Sequence, residues 1–229
     1  MERKKVEIIV QSVEDAINAQ KGGASRLELV SALSEGGLTP SIGMVKSIIE
    51  NTDIEVAVML RPTSKSFCYK KQDLDVMKKD AEIFQEMGVK RLVVGILDSE
   101  NNIDLEALNY VLENIKIDVT FHRAIDESNN ILESVKILNK CKKVSHILTS
   151  GGSGKAKDNL GTIKKMIELS EKRIMIASGL DLDVLKEIKD TLLVGNKIYD
   201  VHFGRFAQSE DGIVSEEKVK DIVKLFFRE

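Results

Sequence analysis

A few short stretches of the chain hold the side chains able to bind or move charge. His122-Arg123 is followed by Asp126, so an imidazole, a guanidinium and a carboxylate fall within one loop. Histidine titrates near neutrality and a carboxylate can orient its ring for general acid–base catalysis; the same pair could instead tie down a loop. Glu28, between Leu27 and Leu29, and Glu7, within Val6–Gln11, are acids inside apolar runs. Such acids either transfer protons or pair with an interior arginine such as Arg61, and a buried pair needs hydrogen bonds to offset several kcal/mol of desolvation. His202 stands in an otherwise apolar run and has little structural reason to be there. Ser150-Gly151-Gly152-Ser153-Gly154 precedes a helical segment and could offer backbone N–H groups to an anion, as could Ser178-Gly179 and Gly204-Arg205. Cys68 lies in a loop between Phe67 and Tyr69, whereas Cys141 follows an apolar helical stripe and reads as packing. His146, near the start of its run, reads as structural or surface-exposed. C-x-x-C, H-E-x-x-H, Ser/His/Asp and Walker signatures are all absent.

The elements that must carry these residues alternate. Strand-like runs occur at Val6–Gln11, Arg26–Val30, Ile54–Leu60, Arg91–Ile96, Ile117–Phe121, Val144–Thr149, Arg173–Ala177 and Ile198–Phe203. Each is followed by a helical stripe, for example Leu74, Met77, Ala81 and Phe84, or Val219, Ile222, Val223 and Phe226. Ser12-Val-Glu-Asp15 predicts the start of the first helix, and Thr39-Pro40 predicts an N-cap with proline in the first turn of the second. Eight β/α units predict a closed (β/α)8 barrel over residues 1–229, with no room for a second domain. In that architecture the ends of the strands and the loops after them form the site. Glu28, Arg61, His122, Ser150, Ser178 and His202 then belong to one mouth.

Composition narrows the function classes. The 229 residues carry 34 basic and 37 acidic side chains, for a net charge of −3, which argues against a broad nucleic-acid-binding face. Aromatic residues are 4% and tryptophan is absent, so stacking platforms for single strands are not expected. No apolar run approaches the ~18 residues of a membrane span, and the first residues have no signal-peptide core after them. Two cysteines fit a reducing cytoplasm better than a disulfide framework.

Six segments taken in order carry a resemblance. They are Gly22-Gly-Ala-Ser-Arg-Leu-Glu-Leu29, Glu35-Gly-Gly-Leu-Thr-Pro40, Met59-Leu-Arg-Pro62, Phe67-Cys-Tyr69, Thr120-Phe-His-Arg-Ala-Ile-Asp126 and Leu148-Thr-Ser-Gly-Gly152. Together they resemble the CutC family of copper homeostasis proteins. The resemblance implies a TIM barrel and a cytoplasmic, homo-oligomeric protein linked to copper tolerance or trafficking. It carries over to Glu28, Arg61, Cys68, His122, Arg123, Asp126, Ser150, Gly151, Gly152 and His202. Where relatives often have cysteine, this chain has Ile9 and Val30. Cu(I) prefers soft donors, so Cys68 with His202 is the expected metal pair, and Met59 and His122 are further donors.

Two functions therefore stand open from the residues. One is Cu(I) binding or trafficking. The other is an enzyme of lyase or isomerase type acting on a small anionic or phosphorylated metabolite. There Arg61, Arg123 and Arg205 would hold the anion, while His122, oriented by Asp126, and Glu28 would move protons. Ser150, Gly151, Gly152, Ser178, Gly179, His202, Gly204 and Arg205 would line the ligand site. A scaffold that only oligomerises would leave this polar cluster unexplained.

Overall fold

Short runs rich in β-branched and aliphatic residues form eight strands in the computed structural model, which describes residues 3–192, 195 and 197–228. They are β1 (Val6–Val10), β2 (Arg26–Leu29), β3 (Glu55–Met59), β4 (Arg91–Val94), β5 (Asp118–Phe121), β6 (Val144–Thr149), β7 (Arg173–Ile176) and β8 (Asp200–Phe203). Each pairs in parallel with the next and β8 pairs with β1, which closes the barrel. The helices between them are α1 (Val13–Lys21), α2 (Ile42–Asn51), α3 (Lys71–Glu86), α4 (Leu105–Val111), α5 (Ile131–Asn139), α6 (Leu160–Leu169), α7 (Leu182–Thr191) and α8 (Glu216–Phe227). This is the (β/α)8 barrel that the alternation predicts. Among the described residues, no helix is long and apolar enough to cross a membrane.

Local chemistry sets the helix starts. Ser12 and Asp15 form a reciprocal capping box on α1, as the Ser-x-x-Asp spacing predicts. The predicted cap at Thr39 is corrected: Ser41 caps α2, accepting from the Met44 amide at 3.2 Å. Thr39 is spent elsewhere, its hydroxyl accepting from the Arg61 amide at 2.8 Å and its amide donating to the Arg61 carbonyl at 3.0 Å. It therefore holds the end of β3.

Strand alternation sorts side chains between two cores. Val6, Ile8, Val10, Leu27, Leu29, Val56 and Val58 pack outward with the helices. The barrel interior holds Val30, Ala57, Met59 and Val93 on one side and Leu148, Met175 and Ala177 on the other. The N-terminal end of the interior is polar. Arg91 donates to Glu55 at 2.7 Å and Asp118 at 2.9 Å and lies 3.0 Å from His146 Nδ1. Asp200 accepts from the Lys5 amide at 2.9 Å and faces His146 at 3.4 Å. His146 is thus buried in a structural network, as one of its two expected roles has it, and is not on the surface. Burial pushes its pKa down. Polar networks at this end of a barrel serve stability, and the opposite end is left for chemistry.

Candidate active site at the barrel mouth

The C-terminal ends of the strands enclose a cavity of about 1040 Å³. Of the residues expected there, Glu28, Arg61, His122, Arg123, Asp126, Gly152, Ser178, Gly179, His202, Gly204 and Arg205 line it. Ser150, Gly151 and Cys68 do not.

The floor of the cavity is a buried chain of three titratable groups. His202, on β8, shares a 2.7 Å hydrogen bond between Nδ1 and Glu7 Oε1. Its Nε2 faces Glu28 Oε2 at 3.6 Å. Arg26 Nε donates to the other Glu7 oxygen. Burial alone would raise the pKa of Glu7, but the Arg26 charge and the His202 bond outweigh it and hold the carboxyl far below its usual range. An ionised carboxylate only accepts, so His202 Nδ1 carries the proton of that bond. Glu28 has no such partner. Burial pushes its pKa up to about 7, with His202 opposing and the Glu7 charge adding to the rise. Burial works against charge on His202, yet the Glu28 charge and the Glu7 bond raise its pKa overall. One oxygen of Glu28, Oε1, is buried without a hydrogen-bond partner.

Glu7, Glu28 and His202 bring ligand-type atoms within 4.8 Å of one another, the one such trio among the described residues. Both Glu7 oxygens are already committed, one of them to a guanidinium. The trio is therefore an electrostatically coupled group around an ionised Glu7 rather than an open cage for a cation. The proposed pairing of Glu7 or Glu28 with Arg61 does not form. Register places Glu7 beside Arg26, whereas Arg61 lies beyond the end of β3. Its guanidinium donates to the carbonyls of Glu35, Gly37 and Ser64 at 3.1, 3.4 and 3.4 Å.

His122 directly follows β5 on the opposite side of the barrel, since β5 lies four strands from β1 in the closed order. Its Nδ1 accepts from the Ala124 amide at 3.1 Å, and Nε2 is buried without a partner. The Phe67 ring lies 4.9 Å away, with the Arg61 guanidinium 4.6 Å from that same ring. Burial, with the Arg61 charge adding to it, pushes the pKa of His122 down to about 3. The ring is neutral at pH 7, with its proton on Nε2. Gly95 makes room for it: a Cβ there would lie 2.3 Å from His122 Nδ1.

The expected His122–Asp126 pair is also corrected. Asp126 turns away and accepts from the amide and hydroxyl of Ser150 at 2.9 and 2.7 Å, the Thr149 hydroxyl at 2.5 Å, the Gly152 amide at 3.3 Å and Arg123 Nε at 2.9 Å. The Gly151 amide goes to Thr149 Oγ1 at 2.8 Å. The glycine loop after β6 thus does bind an anion, but that anion is the protein's own carboxylate. The rim beyond it offers Lys155 and Arg205, both exposed, together with the positive-φ turn Ser178-Gly179.

Cys68 is exposed on the loop after β3, where its amide donates to Ser66 Oγ at 3.2 Å. It does not share a cavity with His202. Cys141 is buried in the helical layer, as expected. Sequence reasoning missed Arg26 and Lys155. Arg26 was legible from its i, i+2 spacing to Glu28, which puts both on one face of β2; Lys155 had no comparable signal.

Comparison with known proteins agrees with this architecture. The family model described as "CutC family" matches residues 4–202. A copper homeostasis protein cutC homolog of Homo sapiens is 37% identical over 175 residues, covering 76% of this chain and 64% of the relative. The chain thus spans a little under two thirds of that protein. A family protein CutC of Treponema denticola is 35% identical over 216 residues, covering 92% of this chain and 85% of the relative. The crystal structure of the putative copper homeostasis protein CutC of Streptococcus agalactiae superposes with a TM-score of 0.80 at 28% identity, covering 88% of this chain and 98% of that one. An N-(5'-phosphoribosyl)anthranilate isomerase from Pyrococcus furiosus shares the fold alone, with a TM-score of 0.62 at 16% identity and 98% of each chain covered. From the match over residues 4–202 and the relatives' identity, this chain belongs to the CutC family.

Proposed function

We propose that the protein serves copper homeostasis, the role in its relatives' names. The observation carrying the role is the family match over residues 4–202, with relatives named for copper homeostasis. Cu(I) prefers thiolate and thioether donors, and Cys68 stands on the surface apart from the mouth imidazoles. Copper reaches this chain as cargo at Cys68, not in a closed cage. The protein is cytoplasmic and homo-oligomeric in this reading.

The test is an anaerobic Cu(I) titration against a competing chelator, together with copper tolerance of cells lacking the gene. Weak binding lost in Cys68→Ser and unchanged in His202→Ala is expected, with tolerance restored by the wild-type gene. Tight one-to-one binding lost in both variants would replace this picture with a two-residue copper site. Unaltered tolerance would remove the copper role.

A second reading has its own observation: the buried Glu28–His202 pair at the floor of a large cavity with arginines around it. Buried groups with displaced pKa values in a cleft are the pattern of acid–base catalysis. In this reading the mouth turns over a small anionic metabolite by lyase or isomerase chemistry, and purified protein with a metabolite mixture should deplete one component in a Glu28-dependent way.

A further inference from the structure

Three buried side chains around one cavity each keep one polar atom without a hydrogen-bond partner, and their chemistry is complementary to a single kind of molecule. His122 Nε2 is a neutral N–H donor, because Nδ1 is held as an acceptor by the Ala124 amide. It lines the cavity and is 3% exposed, so neither protein nor bulk water takes its proton. Glu28, 2% exposed, leaves Oε1 free on the other side of the mouth. Arg61, 8% exposed, gives its N–H groups to neutral carbonyls, has no carboxylate partner among the described residues, and leaves Nε without an acceptor. A buried charge without a counter-ion costs several kcal/mol, and an anionic ligand group would remove that cost. The lining acids Glu35 and Glu127 are exposed toward solvent, and Asp126 is saturated by its own loop.

We propose that the mouth binds a small carbonyl compound bearing a carboxylate or phosphate. Arg61 takes the anionic group, His122 Nε2–H donates to the carbonyl oxygen, and Glu28 moves a proton at the carbon beside that carbonyl. This inference rests on the enzymatic reading above and assigns its substrate class and roles. In the step, the Glu28 carboxylate takes the proton and the C–H electron pair forms a carbon–carbon double bond. The carbonyl π pair moves onto oxygen, where the His122 N–H meets the growing negative charge. Returning the proton to carbon restores the carboxylate, so no oxidant or reductant is needed. His202, held by Glu7, is the positioning residue behind Glu28: its cationic form stabilises the ionised base.

The reactive intermediate is an enolate, so enolate-like probes test the assignment. Phosphoglycolohydroxamate and oxalate would be titrated calorimetrically against glycerol 3-phosphate and malonate, anions of matched charge lacking the coplanar enolate-like oxygens. At least one enolate probe should bind tenfold or more tighter than its control. His122→Phe should abolish that preference and His122→Gln, which keeps an N–H, should restore part of it. Arg61→Gln should weaken probe and control alike. Nitrogen-15 NMR should find His122 neutral at pH 7 with Nε2 protonated, a readout that does not depend on how the Phe variant folds. Equal binding of probes and controls, or a preference surviving in His122→Phe, overturns this inference alone. Failure of all four anions to bind overturns the enzymatic reading with it.

Discussion

His202 gives its Nδ1 proton to Glu7 across 2.7 Å, and this bond governs the environment of Glu28. With Nδ1 committed, only Nε2 faces Glu28, 3.6 Å away. The Glu7 charge lies close enough to raise the pKa of Glu28 further, while Arg26 keeps Glu7 itself ionised. Three adjacent strands, β8, β1 and β2, thus build one electrostatically coupled unit from residues that are far apart in the chain.

The first consequence concerns pH. The folded-state pKa of Glu28, about 7, lies above the ordinary 4.5, so between those values the folded chain holds a proton that the unfolded chain releases. The associated stability is complete below pH 4.5 and is lost as pH rises to 7. The raised pKa of His202 acts in the same direction, its contribution being lost as pH climbs through the folded value. Urea unfolding from about pH 5 to pH 8 should show the wild-type midpoint falling relative to Glu28→Gln, whose amide cannot ionise. Parallel curves would show that Glu28 does not titrate in this window.

The Glu7–Arg26 pair makes a second prediction. Both side chains are fully buried, so Arg26→Met leaves Glu7 without its guanidinium and should cost about 3–5 kcal/mol. Adding Glu7→Gln should recover part of that loss, because the stranded charge is gone. Chemical denaturation of the two singles and the double measures the coupling. Strict additivity would mean the ion pair is not an energetic unit.

Gly95 offers a way to move His122 without altering it. A methyl group there would come within 2.3 Å of His122 Nδ1 and 2.8 Å of the Ala124 Cβ. Gly95→Ala should cost about 1–3 kcal/mol from overpacking. It should also break the Ala124–His122 bond, visible as a changed His122 tautomer in NMR. An unchanged tautomer would show that the ring is held by something other than this fit.

Asp126 should be replaceable by an external anion. Asp126→Ala frees the Ser150 and Gly152 amides and Arg123 together, at a cost of about 2–4 kcal/mol in lost charge-assisted hydrogen bonds. Inorganic phosphate should then raise the thermal midpoint of the variant more than that of the wild type, reporting phosphate seated in the vacated loop. An equal response of both proteins would show that the loop keeps no anion-binding shape once the carboxylate is removed.

How much of this was legible in the chain follows from the kind of information each feature needs. The eight strand–helix units are local patterns of burial, and β2 through β7 overlap the expected runs closely because a buried parallel strand reads as a continuous apolar stretch. The polar residues at strand ends were legible for the same reason, and most of them line one cavity. Partnerships were not. Whether Arg26 or Arg61 meets Glu7 depends on strand register, and the register shift between β5 and β6 near Thr120 has no sequence signature. The hydroxyl that caps α2 likewise depended on Thr39 being recruited by Arg61, just beyond the end of β3.

By itself the sequence determined the alternation, the barrel and the set of charged side chains at its mouth, because these follow from local periodicity and from the direction of parallel strands. The tertiary structure alone decided which charges are paired and which are left free. Asp126 went to the glycine loop instead of His122, Glu7 to Arg26 and His202, and Arg61 to carbonyls. A buried polar group bonds to whatever the closed barrel brings within about 3 Å, and that distance is set by register and closure rather than by spacing along the chain.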